Sequence, residues 1–306
     1  MQRYLIRRLL WMVPVLFFVA LVTFSLMHAV PGGPFERENR SLPPATIENL
    51  RRRYGLDQPL PEQFLRFLGN ALRGDLGVSY QYQDRPVTQV LLQGLPRTAT
   101  LGLIALAIAL CVGIPLGTLA ALRQNSWVDY LSLFLATLGA SVPNFVVAIV
   151  LVIVFSVWLH QLPTGGWGTP KHLIMPALAL AFGPTAYIAR MTRASMLDAI
   201  RQDYVRTARA KGLHERTVIS RHTLPNALIP VLTVVGPITA NLLLGSFIIE
   251  SIFSIPGIGR EYVQSIGARD YGMIMGTTLF YAVVIAVANL IVDLLYGVVD
   301  PRIRYG

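Results

Sequence analysis

The chain has 306 residues, of which 54% are hydrophobic and only 14% charged, with a formal net charge of +10. A soluble domain carries about a quarter charged residues, so this composition excludes an ordinary soluble protein and favours a membrane protein with several spans. The basic residues are not joined into one soluble basic face. This argues against nucleic-acid binding and favours arginine-rich loops held against anionic membrane lipid.

Six apolar segments are long enough to cross a membrane, since a helical span needs about 20 apolar residues to cover a hydrocarbon core about 30 Å thick. They cover residues 9–30, 98–122, 131–160, 173–189, 227–253 and 274–299. Prolines interrupt the third, fourth and fifth segments, at Pro143, Pro176, Pro184, Pro230 and Pro237. We therefore predict an all-α integral membrane protein with six transmembrane helices, several of them kinked and packed around a path.

The first apolar segment follows a basic start that contains three arginines. It is longer than a signal-peptide core, and Met27-His28-Ala29 offers no small-x-small cleavage site, so residues 1–30 are predicted to form an uncleaved helix. Positive charge stays in the cytoplasm, so six spans place the N-terminus and the tail of residues 301–306 on the cytoplasmic side. The membrane core is predicted to occupy residues 95–300.

Residues 31–94, called the external segment below, are predicted to lie outside the membrane. Its acidic residues nearly balance its arginines, and loops longer than about 60 residues cross the membrane regardless of charge. Two short helices are expected, one that ends at Gly55 and one that starts at Pro61. The second has an apolar face composed of Phe64, Leu65, Leu68, Ala71 and Leu72. The segment could contact an external partner or cover the helix ends, and the residues leave both readings open.

The connection between the fourth and fifth spans, residues 191–225, is called the basic loop below. Arginine and lysine far outnumber acidic residues in it, which predicts a cytoplasmic location. Its pattern predicts a short helix at 204–211, capped by Asp203 and closed by Gly212, followed by a helical stretch that ends at Pro225. Such a helix could project as a knob that offers Tyr204, Val205, Ala208 and Leu213 to a partner. A solvated basic hairpin on anionic lipid is the alternative.

The basic loop resembles the EAA loop of bacterial ABC importer permeases. The resemblance rests on Asp203, Tyr204, Val205, Arg206, Thr207, Ala208, Arg209, Ala210, Lys211, Gly212 and Leu213, followed by Ile219 and Leu224-Pro225. Thr207-Ala208-Arg209 replaces the E-A-A triplet, so its glutamate is missing, and Gly212 lies one residue early. Six further stretches resemble oligopeptide and dipeptide permease B subunits in order and spacing, namely residues 29–34, 54–59, 74–79, 254–259, 269–271 and 299–305.

The resemblance implies a type I ABC importer permease fold with a short cytoplasmic coupling helix, in the bacterial inner membrane. It implies a second homologous permease subunit as the other half of the pore, and two cytoplasmic ATPase subunits beneath it. A periplasmic or lipid-anchored solute-binding protein would deliver a peptide. Nickel, glutathione or another small solute is the alternative cargo. No cofactor is expected in this chain, whereas ATP and Mg are expected in the partner subunits.

Catalytic motifs are missing from the sequence. It has no G-x-x-x-x-G-K-[ST] phosphate loop, no H-E-x-x-H and no G-x-S-x-G elbow, so we predict that it is not an enzyme. The single cysteine, Cys111, cannot form an internal disulfide or a cysteine metal cluster and is predicted to pack inside a helix. A secondary transporter or channel would need ionisable pairs in the middle of the bundle, which the sequence does not indicate.

Polar residues inside the apolar segments are the weaker candidates for function. Asn144, Asn241, Ser246 and Asn289 could line a path for peptide groups, or they could form hydrogen bonds between helices worth about 0.6 kcal/mol each. Asp293 is expected to pair with a loop arginine. At the outer end of the fifth span, a binding protein could contact Glu250, Ser251, Arg260 and Glu261.

Overall fold

The computed structural model describes the backbone of residues 2–30, 32–35, 43–82, 85–243 and 247–299, and within these ranges the side chains from residue 6 to residue 291. The helices are α1 Gln2–Ala29, α2 Pro44–Tyr54, α3 Leu60–Ala71, α4 Val87–Leu122, α5 Trp127–Ser141, α6 Asn144–Leu151, α7 Lys171–Ile200, α8 Asp203–Ala210, α9 Glu215–Thr217, α10 Leu224–Leu243, α11 Phe247–Ile252, α12 Ile258–Ala268 and α13 Tyr271–Val299, with π-helical turns at Val152–Trp158 and Val218–Thr223. The described part of the chain contains no β-sheet, only an isolated bridge between Val78 and Pro86.

Five helical stretches of the described chain are long and apolar enough to cross a membrane, and the α5–α6 pair makes a sixth if it is one bent span. The predicted interruption at Pro143 is confirmed, and it is a bend of 105° between α5 and α6. Val142 adopts an extended conformation there, because the ring of the following proline disfavours the helical one.

The other prolines do not end their helices. Pro176 and Pro184 lie within α7, which continues to Ile200, well past the predicted end of the fourth span. The predicted stop at Pro225 is wrong, because α10 begins at Leu224 and runs through it. A π-helical turn precedes this proline, and the Thr223 hydroxyl donates to the Val218 carbonyl at 3.2 Å. Pro225 is the second residue of α10, in the first helical turn, where proline is tolerated.

Small residues allow α4, α5 and α7 to pack closely. A Cβ added at Gly117 of α4 would overlap the Ala189 carbonyl oxygen of α7, and one at Gly113 would lie 2.9 Å from the Thr185 carbonyl oxygen. Small side chains at helix contacts are typical of membrane bundles, in which close backbone approach replaces the hydrophobic effect. The predicted boundary between residues 94 and 95 falls inside α4, which is continuous there.

We expect Gly117→Ala to destabilise the purified chain by about 1–3 kcal/mol, because the methyl group must displace the α7 backbone. Gly69→Ala in α3 is the matched control, since nothing lies within 4 Å of its added Cβ. At this position the better helix propensity of alanine should stabilise the folded chain by about 0.5–1 kcal/mol. Thermal unfolding in detergent, followed by tryptophan fluorescence, would show the two opposite signs. Equal effects would contradict the close α4–α7 contact.

The external segment packs on the helix ends. Gly55 closes α2 with a φ of 68°, as predicted, and α3 places Phe64 against Phe24 of α1, with ring centroids 5.3 Å apart. Phe67 and Leu68 join this contact. Of the predicted apolar face, Phe64 is buried and Leu68 is half-buried, whereas Leu65 and Leu72 are 66% and 91% exposed, because the bundle covers only the side of α3 that carries Phe64.

A buried carboxylate joins two of the sequence stretches that carry the family resemblance. Asp270 accepts hydrogen bonds from the Ser79 hydroxyl, from the Tyr80 backbone N–H at 3.0 Å and from the Met273 N–H at 3.1 Å. It therefore caps the start of α13 and anchors the end of the external segment to it. Burial, followed by the charge of Asp270, raises the pKa of Tyr80, so its phenol stays neutral.

Candidate functional site

The basic loop contains the predicted short helix. Helix α8 begins after Gln202, which is extended, and ends before Gly212, whose φ of 75° is left-handed. The Gly212 N–H donates to the Arg209 carbonyl at 2.9 Å, so the predicted closure by Gly212 is confirmed. The predicted cap is wrong: Asp203 is the first helical residue, and no side chain caps the helix. Its carboxylate still lies in the first turn, where the helix dipole favours negative charge.

One face of α8 is buried within the loop itself. Val205 and Ala208 pack against Val218 of the following π-helical turn, and all three side chains are nearly or fully buried. The expectation that Val205 and Ala208 offer apolar contact to a partner is therefore wrong. Their burial stabilises the position of α8 relative to the chain that leads into α10.

The opposite face of α8 is exposed. Tyr204 and Leu213 are each 40% exposed. The other exposed residues of the 203–213 stretch that resembles the EAA loop are Asp203, Arg206, Thr207, Arg209, Ala210, Lys211 and Gly212. The structure thus presents two large apolar side chains with cationic groups beside them.

The two arginines of α8 differ in their partners. The Arg209 guanidinium makes two hydrogen bonds to the Glu215 carboxylate, at 2.7 and 3.2 Å, and this contact raises the pKa of Arg209. Arg206 lies 3.7 Å from Asp203 in an exposed pair, a type that contributes little to stability. Arg209 therefore braces α8 against α9, whereas Arg206 remains available to the surface.

A buried ion pair fixes the helix that leads into the basic loop. The Arg193 guanidinium of α7 donates to both carboxylate oxygens of Asp129, with Nη2 to Oδ2 at 2.8 Å. The Asn125 N–H also donates to Asp129, whose side chain is only 2% exposed. The pair therefore joins the start of α5 to α7 close to its C-terminal end. Sequence reasoning missed Asp129, although a lone acid at the start of an apolar segment was a usable signal.

Glu250 has a structural role that differs from the predicted one. It is fully buried and accepts from the Thr98 hydroxyl at 2.9 Å and from the Arg260 N–H at 3.1 Å. It therefore links α11 to α4 and to the first turn of α12, and its predicted contact with a binding protein is wrong. A Cβ at Gly257 would overlap this carboxylate. Ser251 is exposed, and Arg260 and Glu261 are half-buried.

The structure does not join the candidate pore residues into one cluster. Asn144 on α6 and Asn289 on α13 are half-buried, Asn241 on α10 is exposed, and no hydrogen bond links any two of these three. Ser246 and the side chain of Asp293 lie outside the described residues. Cys111 is exposed on α4, so its predicted packing role is wrong. Among the described residues, no group of three or more His, Cys, Asp or Glu could hold a metal ion.

Two family models together match nearly the whole chain. The model described as "Binding-protein-dependent transport system inner membrane component" matches residues 113–305, and the corresponding N-terminal model matches residues 1–102. The chain belongs to this family. It is thus a multi-pass inner-membrane transport subunit, as the resemblance implied.

Similar proteins agree with this assignment. The dipeptide transport system permease protein DppB of Bacillus subtilis is 45% identical, over 99% of this chain and 98% of that protein. The oligopeptide transport system permease protein OppB of Escherichia coli K12 is 40% identical over all of both chains. An inward-facing structure of the MetNI methionine ABC transporter matches with a TM-score of 0.56 at 18% identity, covering 69% of this chain and 97% of that chain. These matches confirm the predicted permease family and its fold.

Proposed function

We propose that this permease forms half of the pore of an ATP-driven importer for short peptides. Relatives named as dipeptide and oligopeptide permeases, at 39–45% identity over essentially full length, support the peptide class. The observation that carries the ATP-driven mechanism is α8, a short helix braced on its inner side and exposed on its outer side. The chain itself holds no nucleotide motif, so ATP and Mg bind in the partner subunits.

The proposed complex contains three kinds of partner subunit. A second homologous permease completes the pore, two ATPase subunits dock at the basic loops, and a solute-binding protein delivers the peptide from outside. Both termini are cytoplasmic, because the loop between α7 and α10 concentrates arginine and lysine. With the loop inside, the external segment faces the solute-binding protein.

The proposed coupling is mechanical. A partner shifts the equilibrium between two pore states only if it contacts the two states differently. The helix that the partner contacts, α8, must therefore be rigid relative to the rest of the chain. The burial of Val205 and Ala208 on Val218 supplies that stiffness. Movement of α8 passes into α7 and α10, which pack on each other and on α4, and the Asp129–Arg193 pair carries it to α5.

We expect Leu213→Ser to reduce peptide uptake about tenfold, because a docking contact worth about 1.4 kcal/mol is lost. Leu213 is exposed and packs on nothing in the described core, so insertion and folding should not change. Leu60→Ser is the matched control, since it removes a similarly exposed leucine (48%, against 40% for Leu213) from the external segment. The measurements are uptake in cells and co-purification of the ATPases with the tagged chain.

Two outcomes would contradict the proposal. If the Leu213→Ser variant still co-purified with the ATPases and took up peptide normally, α8 would have no docking role.

The orientation is tested with Lys211→Cys in a Cys111→Ser background. Labelling of this cysteine in intact cells by a membrane-impermeant maleimide would place the basic loop outside and contradict the proposal. Uptake assays with dipeptides, nickel and glutathione in turn would identify the transported solute.

A further inference from the structure

A groove opens where α1 ends and α13 begins, at one boundary of the predicted membrane region. It encloses about 430 Å³. Its apolar walls come from α1, α12 and α13 and include Leu26, Val30, Ile266 and Ile274. Leu26 and Val30 are 64% and 53% exposed, so this wall is open to the surroundings.

A single charged residue, Arg269, is found among the described residues that line this groove. It closes α12 in a left-handed conformation with a φ of 54°, which is uncommon for a residue other than glycine or asparagine. Its guanidinium lies directly over Gly32, where an added Cβ would overlap it. No hydrogen bond or ion pair connects this half-buried guanidinium to any described residue.

The nearby carboxylates are already engaged. Asp270 accepts from Ser79, Tyr80 and Met273, as described above, and Glu261 accepts from the Tyr82 hydroxyl at 3.0 Å. Tyr262 also lines the groove, and its oxygen accepts from the Thr278 hydroxyl at 3.1 Å. Among the described lining residues, the Arg269 guanidinium supplies the one positive charge, and no carboxylate lines the groove.

We propose that this groove binds one glycerophospholipid, with its phosphate on Arg269 and an acyl chain against the apolar wall. A guanidinium matches the geometry and charge of a phosphodiester, and unsatisfied donors of a half-buried cation favour such an anion. An acidic side chain of a protein partner would match the charge but would leave Leu26, Val30 and Ile274 uncovered. The bound lipid would fill the space between α1 and α13, the helix on which α1 packs.

The test uses the full-length chain purified in detergent and titrated with phosphatidylglycerol, with bound lipid counted by native mass spectrometry. Arg269→Asn removes the charge and keeps a residue that tolerates the left-handed conformation. Its apparent lipid affinity should fall at least about tenfold, as expected for loss of a charge-assisted contact. Arg73→Asn, an exposed arginine of the external segment outside the groove, is the matched control and should retain the wild-type affinity.

A second variant separates the acyl chain from the phosphate. Leu26→Gln, similar in size but polar, should weaken lipid binding while the folded chain keeps its elution profile in size-exclusion chromatography. Inorganic phosphate at millimolar concentration should not displace the lipid. Unchanged lipid binding by Arg269→Asn would overturn the proposal. If inorganic phosphate displaced the bound lipid, the groove would be only an anion site. If Arg269→Asn lost association with the solute-binding protein but still bound lipid, Arg269 would belong to a protein contact instead. Either result would also overturn it.

Discussion

Arg193→Gln is expected to reduce the yield of folded protein and to abolish uptake. The substitution leaves the Asp129 carboxylate buried without its cation, a loss of about 3–5 kcal/mol for a buried pair. That penalty is large relative to the total stability of a typical fold. The bidentate contact also sets how α5 meets α7, so residual folded protein should couple poorly.

The neutral pair Asp129→Asn with Arg193→Gln separates charge from geometry. With both charges removed, no uncompensated ion remains, and the double variant should be more stable than Arg193→Gln alone. Fluorescence-detected size-exclusion chromatography measures folded protein, and peptide uptake per folded chain measures coupling. A double variant no better than the single one would show that the ion pair is not what stabilises the α5–α7 contact.

Gly212→Pro is expected to disconnect uptake from ATP hydrolysis while the chain still inserts into the membrane. Proline requires a φ near −65° and has no N–H, whereas Gly212 has a φ of 75° and donates to the Arg209 carbonyl. The turn that closes α8 must therefore rearrange, and we expect uptake to fall at least about tenfold, equivalent to about 1.4 kcal/mol.

Gly212→Asn is the matched control, because asparagine tolerates the left-handed conformation and keeps the N–H. It should retain most of the uptake. Measurements of ATP hydrolysis by the purified complex, with and without binding protein and peptide, would show whether stimulation is lost in Gly212→Pro alone. Full stimulation in the proline variant would contradict a rigid α8 as the coupling element.

Local patterns predicted the features that depend on neighbouring residues. The apolar segments, the bend at Pro143 and the left-handed closures at Gly55 and Gly212 each follow from residues a few positions apart. The prediction about Pro225 failed although it was also local. A stop at proline assumes a proline in the interior of a helix, whereas Pro225 lies in the first turn of α10, directly after a π-helical turn.

Predictions about which side a residue faces were weaker. The helical face of Val205 and Ala208 was recognisable, but a helical pattern cannot say whether the surface that covers it belongs to a partner or to Val218 of the same chain. For the same reason the apolar pattern of α3 did not show that Leu65 and Leu72 stay exposed while Phe64 is buried. Asn144, Asn241, Ser246 and Asn289 remain predictions.

The sequence by itself determined a helical membrane protein with several spans, because apolar segment length, loop charge and turn residues act locally or through composition. Its permease family followed from motifs that it shares with known permeases in order and spacing. Only the tertiary structure decided where the polar groups go. Glu250 joins Thr98, Asp129 joins Arg193 and Asp270 joins Ser79 across 64 to 191 positions of the chain. A buried carboxylate must find donors wherever the packed helices bring them, and no local pattern specifies those partners.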